Sequence, residues 1–137
     1  MINVGTDLLL LDGDIVFSGD NLATVSGEDN VKQQAYLREL TDKGESVFFP
    51  DFGTLLFTYA NKPYTEENAR KAEAEARAGL LRVGDVNSPG WIEQVLECRF
   101  YTTEVGGKQV RMLYAKYLIR DDKEPRELNL TLGGGTP

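Results

Sequence analysis

Between Trp91 and Arg120 the chain alternates apolar and polar residues over two long stretches, interrupted by Glu104-Val105-Gly106-Gly107. In the first stretch Leu96, Cys98 and Phe100 fall on one side, with Glu97, Arg99 and Tyr101 on the other. A period of two over that length marks a half-buried antiparallel strand, and two such stretches around a Gly-Gly turn predict a hairpin. In the second, Leu113, Ala115, Tyr117 and Ile119 alternate with Met112, Tyr114, Lys116 and Leu118, which predicts cover on both faces. A further strand, Glu127 to Leu132, sets Leu128, Leu130 and Leu132 on a common side. A sheet with an apolar face needs a second layer to bury it.

That layer precedes the sheet in sequence. Thr65-Glu66-Glu67 opens a helix to about Arg82, with Ala69, Ala72, Ala76, Leu80 and Val83 at helical spacing among strong helix formers. Its small residues predict close approach to the sheet, and tight packing would explain the propensity cost of Gly79. An earlier helix, from about Glu28 to Lys43, follows the N-cap candidate Ser26 and carries acids in its first turn. Val31, Ala35, Leu37 and Leu40 form its apolar stripe; Lys32, Gln33, Arg38 and Glu39 form its wet side, and Gly44 is its expected C-terminal glycine. Pro50 then biases Phe49 towards extended backbone, Asp51-Phe52-Gly53 turns the chain, and Leu55, Leu56 and Phe57 predict a buried helical turn. Two apolar runs around Asp12-Gly13-Asp14, and a turn at Ser18-Gly19-Asp20-Asn21, predict a hairpin or extended arm over residues 1–27. The expected fold class is α+β: a two-layer domain over residues 28–132, helices packed on a C-terminal antiparallel sheet, with the N-terminal arm before it and a glycine-rich tail, 133–137, after it.

At 137 residues the chain suits one core. Fifteen basic against twenty-two acidic side chains give a formal charge of -7, which opposes phosphate backbones and argues against nucleic acid as a partner. There is no His, and the single Cys98 cannot pair within the chain. The usual transition-metal sets and the commonest base for a Ser or Cys nucleophile are therefore missing, so neither metal nor other cofactor is expected. Cys98 reads as a small buried hydrophobe. The early apolar run Leu8 to Leu11 is too short for a membrane span or an export signal, so the expectation is no membrane and synthesis in a cytoplasm. Glu45 and Asp51 flank an aromatic segment and could be offered as the acid pair of a glycosidase. Two acids six positions apart carry no distance information, however, and a turn or cap role is the preferred reading. Phe48, Phe49, Phe52, Phe57 and Tyr59 crowd one region, as core or as docking anchors.

The helix with Gln33 and Leu37, then Leu40-Thr41-Asp42-Lys43-Gly44-Glu45, then Phe49-Pro50-Asp51-Phe52-Gly53 and the Thr65 helix together resemble the baseplate wedge and sheath-initiator family of contractile phage tails, shared with type VI secretion systems. The resemblance implies a virion structural protein of the tail baseplate, with no enzymatic role, in a ring of copies expected to be six. Its implied partners are the tail sheath protein, other baseplate wedge and core proteins, and the tail tube. Phe49, Pro50, Asp51, Phe52 and Gly53 are expected in protein interaction, as are Leu128, Leu130 and Leu132 through an open strand edge on which the first sheath ring assembles. The family's Glu-Pro-Arg signature at the start of the first long strand, used for attachment to the baseplate core, is replaced by Ser88-Pro89-Gly90-Trp91, leaving Pro89 and Trp91 as the substitute anchor. A literal Glu124-Pro125-Arg126 lies between the last two strands and reads as a turn. Some family members carry a lysozyme label, so a peptidoglycan-degrading tail lysozyme is the alternative; an assembly chaperone or adaptor is a third reading.

Overall fold

Short apolar runs separated by Asp-Gly and Gly-Asp pairs fold back on themselves. The computed structural model describes residues 6–8, 10, 11, 14, 15, 17, 18, 21, 22, 24–44, 53–84 and 90–134. Its N-terminal strands are β1 (Thr6–Leu8), β2 (Leu10–Leu11), β3 (Asp14–Ile15), β4 (Phe17–Ser18), β5 (Asn21–Leu22) and β6 (Thr24–Ser26). β2 pairs with β3 and β4 with β5, each antiparallel, while β1 pairs with β6 so that Thr6 faces Ser26. The first and last strands of the segment thus meet at the foot of the next element, helix α1 (Gly27–Leu40), which both contact.

Helix α1 departs from its sequence reading in three ways. Ser26 is extended but its side chain makes no capping bond. The helix stops at Leu40, short of Lys43, because the following residues are captured elsewhere: Asp42 bridges Thr54 in parallel, Lys43 N donates to Thr54 O at 3.0 Å, and Thr54 N donates to Thr41 O at 3.0 Å. Gly44 keeps a left-handed φ of 91° but stands outside the helix end. The inward stripe runs Val31, Ala35, Glu39, a strict i+4 series, so Glu39 is buried while Leu40 is exposed and Leu37 only half-buried.

Helix α2 (Leu56–Ala60) is the expected buried turn, and α3 (Glu66–Leu81) begins with Thr65 Oγ1 accepting from Asn68 N at 3.1 Å. Ala69, Ala72, Ala76, Gly79 and Leu80 are its buried face. The sheet consists of β7 (Ile92–Val105), β8 (Lys108–Ile119) and β9 (Arg126–Gly134), antiparallel in the order β7-β8-β9. Gly106 and Gly107, both at positive φ, make the β7–β8 turn. β9 runs two residues beyond Leu132, so Gly133 and Gly134 belong to the strand instead of the tail. α3 packs on β7, and α1 and α2 pack on α3, giving the α+β architecture with helices against the sheet.

Two irregularities in β7, at Ile92/Gln94 and Val95/Glu97, change which residues face the core. Val95 is buried and Leu96, expected beside Cys98 and Phe100, is 40% exposed. Along β8, Leu113, Ala115, Tyr117 and Ile119 are buried as the alternation requires, whereas Met112, Tyr114, Lys116 and Leu118 are half-buried on the outer face, where Arg99 of β7 lies over the Tyr114 ring and Thr131 of β9 donates its hydroxyl to Met112 Sδ.

Candidate functional site

A three-stranded sheet has two edges whose backbone groups need partners. The β7 edge is tied to α3: Glu73 Oε2 accepts from Phe100 N at 3.0 Å, Arg77 Nη1 donates to Val95 O at 2.9 Å, and Cys98 Sγ donates to Glu73 O at 3.6 Å. Tyr64, in the loop before α3, adds its hydroxyl to Phe100 O at 3.3 Å. At the other edge no strand among the described residues pairs with the outer side of β9. There Tyr36 of α1 donates its hydroxyl to Asn129 O at 2.9 Å. Leu128, Leu130 and Leu132, at 0%, 1% and 7% exposure, are committed to the core. What β9 can offer a partner is therefore its main chain and its outward residues Glu127, Asn129 and Thr131, all exposed.

The chain segments that carry the motif around residues 40–54 are brought side by side through the Thr41–Lys43 and Thr54 bonds. Gly53 sits there at a φ of 107°, and a Cβ on it would overlap the Thr41 carbonyl oxygen and lie 2.9 Å from its carbon. Phe49, Pro50, Asp51 and Phe52 lie outside the described residues, as do Glu45, Phe48 and Pro89. Phe57 and Tyr59 are partly buried against the core. Trp91 is packed in the same way, with its ring against Gly84 and its carbonyl accepting from Arg120 N at 2.7 Å.

Glu124-Pro125-Arg126 does form part of the β8–β9 turn and the start of β9. Antiparallel topology brings the start of β9 and the start of β7 to one end of the sheet, on either side of β8: Ile92 faces Ile119, and Arg126 faces Tyr117. Arg126 is occupied within the chain, at 2.7 Å from Glu28, 3.2 Å from Asp122 and 3.7 Å from Glu124.

Four buried polar side chains escaped the sequence reading: Asn30, Glu39, Thr54 and Arg111. Arg111, 4% exposed on the core side of β8, donates to the carbonyls of Ala60 (2.6 Å) and Lys62, closing the C-terminal end of α2. Glu39 is wholly buried, and neither carboxyl oxygen has a hydrogen-bond partner among the described residues. Burial pushes its carboxyl up to about 9; Arg38 opposes the shift and Glu75 adds to it. The space it occupies exists because residue 79 is glycine: a Cβ there would come within 2.5 Å of Glu39 Oε1 and of Thr54 Cγ2. The tight packing expected of Gly79 is real, but it faces α1 and Thr54. The propensity cost of a glycine inside α3 was the signal for it; nothing in the sequence named the partner. Cys98 is buried, and burial pushes its thiol up to about 12, which keeps it protonated and unreactive.

No family model and no curated protein matches the chain. Among solved structures, it is similar to the crystal structure of a "putative tail lysozyme" from Geobacter sulfurreducens. The two chains share a fold. The TM-score is 0.60 at 17% identity, over 76% of this chain and 87% of the other.

Proposed function

We propose that the protein is a non-catalytic structural subunit of a contractile-tail baseplate, and that it starts the sheath by offering the outer edge of β9 to an extended arm of the first sheath subunit. One observation carries the reading: α3 occupies the β7 edge through Glu73 and Arg77, while no described strand occupies the β9 edge. Unpaired main-chain groups at regular spacing recruit a further strand, and side chains of the added strand fill the adjoining surface. The motif resemblance at residues 30–83 and the shared fold with a protein described as a tail lysozyme support the tail setting. Trp91 and the turn at 124–126, at one end of the sheet, face the neighbouring baseplate core in this arrangement.

The lysozyme reading has one feature in its favour, a carboxyl held protonated near neutral pH, as a general acid must be. Glu39 is nevertheless fully buried, out of reach of a polymeric substrate. For the sheath role the test is Asn129→Pro. The outward Asn129 carries no part of the core, so the domain is expected to fold by circular dichroism while baseplates that contain it fail to grow sheath. Normal sheath growth on the folded variant would sink the β9 edge as the template. Truncation after Glu127 is unsuitable, because it removes three core leucines.

A further inference from the structure

Hydrogen bonds at the far edge of the sheet fix which way the main chain of β9 points. On β7, Phe100 N donates to Glu73 and Phe100 O accepts from Tyr64, so both groups of Phe100 turn away from β8. Antiparallel partners alternate between pairs that exchange both bonds and pairs that turn away from each other. Phe100 faces Leu113, Leu113 faces Leu130 and Tyr114 faces Asn129, with no register shift between these pairs. Leu113 and Leu130 therefore exchange their bonds, and Asn129 turns its N–H and C=O outward, as do Glu127 and Thr131 two residues to either side.

The middle carbonyl of that row is already held, because Tyr36 donates its hydroxyl to Asn129 O at 2.9 Å. Two ties show how α1 runs past β9. Glu28 reaches Arg126 and Tyr36 reaches Asn129, eight helical residues against three of strand, which rise about 12 Å and about 10 Å. Helix and strand thus lie side by side, and Glu28, Lys32, Tyr36 and Leu40, at i+4 spacing, share the flank of α1 that borders the edge. Leu40 stands one turn beyond Tyr36, towards the Thr131 end of the row, and is 42% exposed. A strand added to β9 would bond the Asn129 main chain with one residue and point the residues on either side of it towards the helix layer, as Leu128 and Leu130 point. We infer that Tyr36 and Leu40 complete the β9 edge as a site for an extended segment with apolar residues at alternate positions, which takes the Asn129 carbonyl from the Tyr36 hydroxyl and lays its inward side chains on the Tyr36 ring and Leu40. Tyr36 is then a displaceable guard that keeps the row from casual strand pairing. This site rests on the proposed use of the β9 edge and adds to it the pattern the partner carries and the contact it displaces.

The test uses the full chain, ¹⁵N-labelled, titrated with acetyl-Lys-Thr-Val-Thr-Val-Thr-Lys-amide and followed by amide shifts. Saturable shifts are expected at Tyr36, Asn129 and Thr131, and Asn129→Pro should abolish them. Tyr36→Phe keeps the ring and removes the competing donor, so it should tighten binding by about threefold. Leu40→Gln should weaken it by about threefold, whereas Leu81→Gln, at an equally exposed leucine on α3, should leave it unchanged. Unchanged or weaker binding by Tyr36→Phe, equal effects of the two leucine variants, equal binding of the peptide with Thr in place of Val, or no saturable shift would each overturn the assignment. If any of these occurred while Asn129→Pro still stopped sheath growth on baseplates, the sheath role would stand without this flank. Peptide binding as expected beside normal sheath growth on Asn129→Pro baseplates would keep the site and remove the sheath role.

Discussion

At Glu39 a charged residue type occupies a core position that i+4 spacing from Val31 and Ala35 assigns to an apolar one. Its carboxyl ordinarily titrates near 4.5 and in the fold near 9, so across that window the folded chain keeps a proton that the unfolded chain releases. The sign follows: this group's contribution is full below about 4.5 and is lost as pH rises towards 9. Denaturant midpoints should therefore fall from about pH 5 to about pH 8.5, contrary to the usual effect of salt-bridged carboxylates. Glu39→Leu should flatten that slope and raise stability at neutral pH by about 2 kcal/mol, by removing an unmatched buried carboxyl; an unaltered slope would mean the proton is taken up elsewhere. Gly53 is the second critical residue. With φ at 107° and the Thr41 backbone where a Cβ would stand, Gly53→Val should cost more than about 2 kcal/mol in a thermal or urea melt.

For the elements, the register of β7 is the sharpest point. Plain alternation puts Leu96 inside; the irregularity at Val95/Glu97 puts Val95 inside and Leu96 out. Val95→Thr should then cost about 1–2 kcal/mol, because it buries a hydroxyl, whereas Leu96→Thr should stay within about 0.5 kcal/mol. Equal effects would count against the bulge. Arg77 donates to the Val95 carbonyl beside this irregularity, so the bulge and the covering of the β7 edge belong to the same local arrangement. The end of α1 shows the complementary case: Gly44 is a suitable stop signal, but the bridge to Thr54 ends the helix earlier.

For the whole molecule, the arrangement of one sheet edge covered by α3 and one with which no described strand pairs is expected, on the proposed function, to go with assembly and not with turnover. Purified protein incubated with cell wall should release no soluble muropeptides, as followed by chromatography. Release that Glu45→Gln or Asp51→Asn abolished would restore the hydrolase reading.

Much of the fold was legible in the residues themselves. Period-two alternation in 91–120 and 127–132, helical spacing in 66–81 and a Gly-Gly turn are local patterns, and local patterns determine element type because each side chain's direction is tied to its own backbone. The α+β layering followed from their order. The rest depended on neighbours distant in sequence. Whether Glu39 faces water depends on Gly79, forty positions on, and whether Leu96 faces the core depends on a bulge that its own alternation does not announce. Which edge of the sheet a helix covers depends on where α3 lays Glu73 and Arg77, and the pairing of Arg126 with Glu28 joins positions almost a hundred residues apart. Sequence alone determined which elements formed and in what order; only the tertiary structure decided which residues of each element were covered and by what, because packing and charge pairing act through space between segments whose separation along the chain carries no distance.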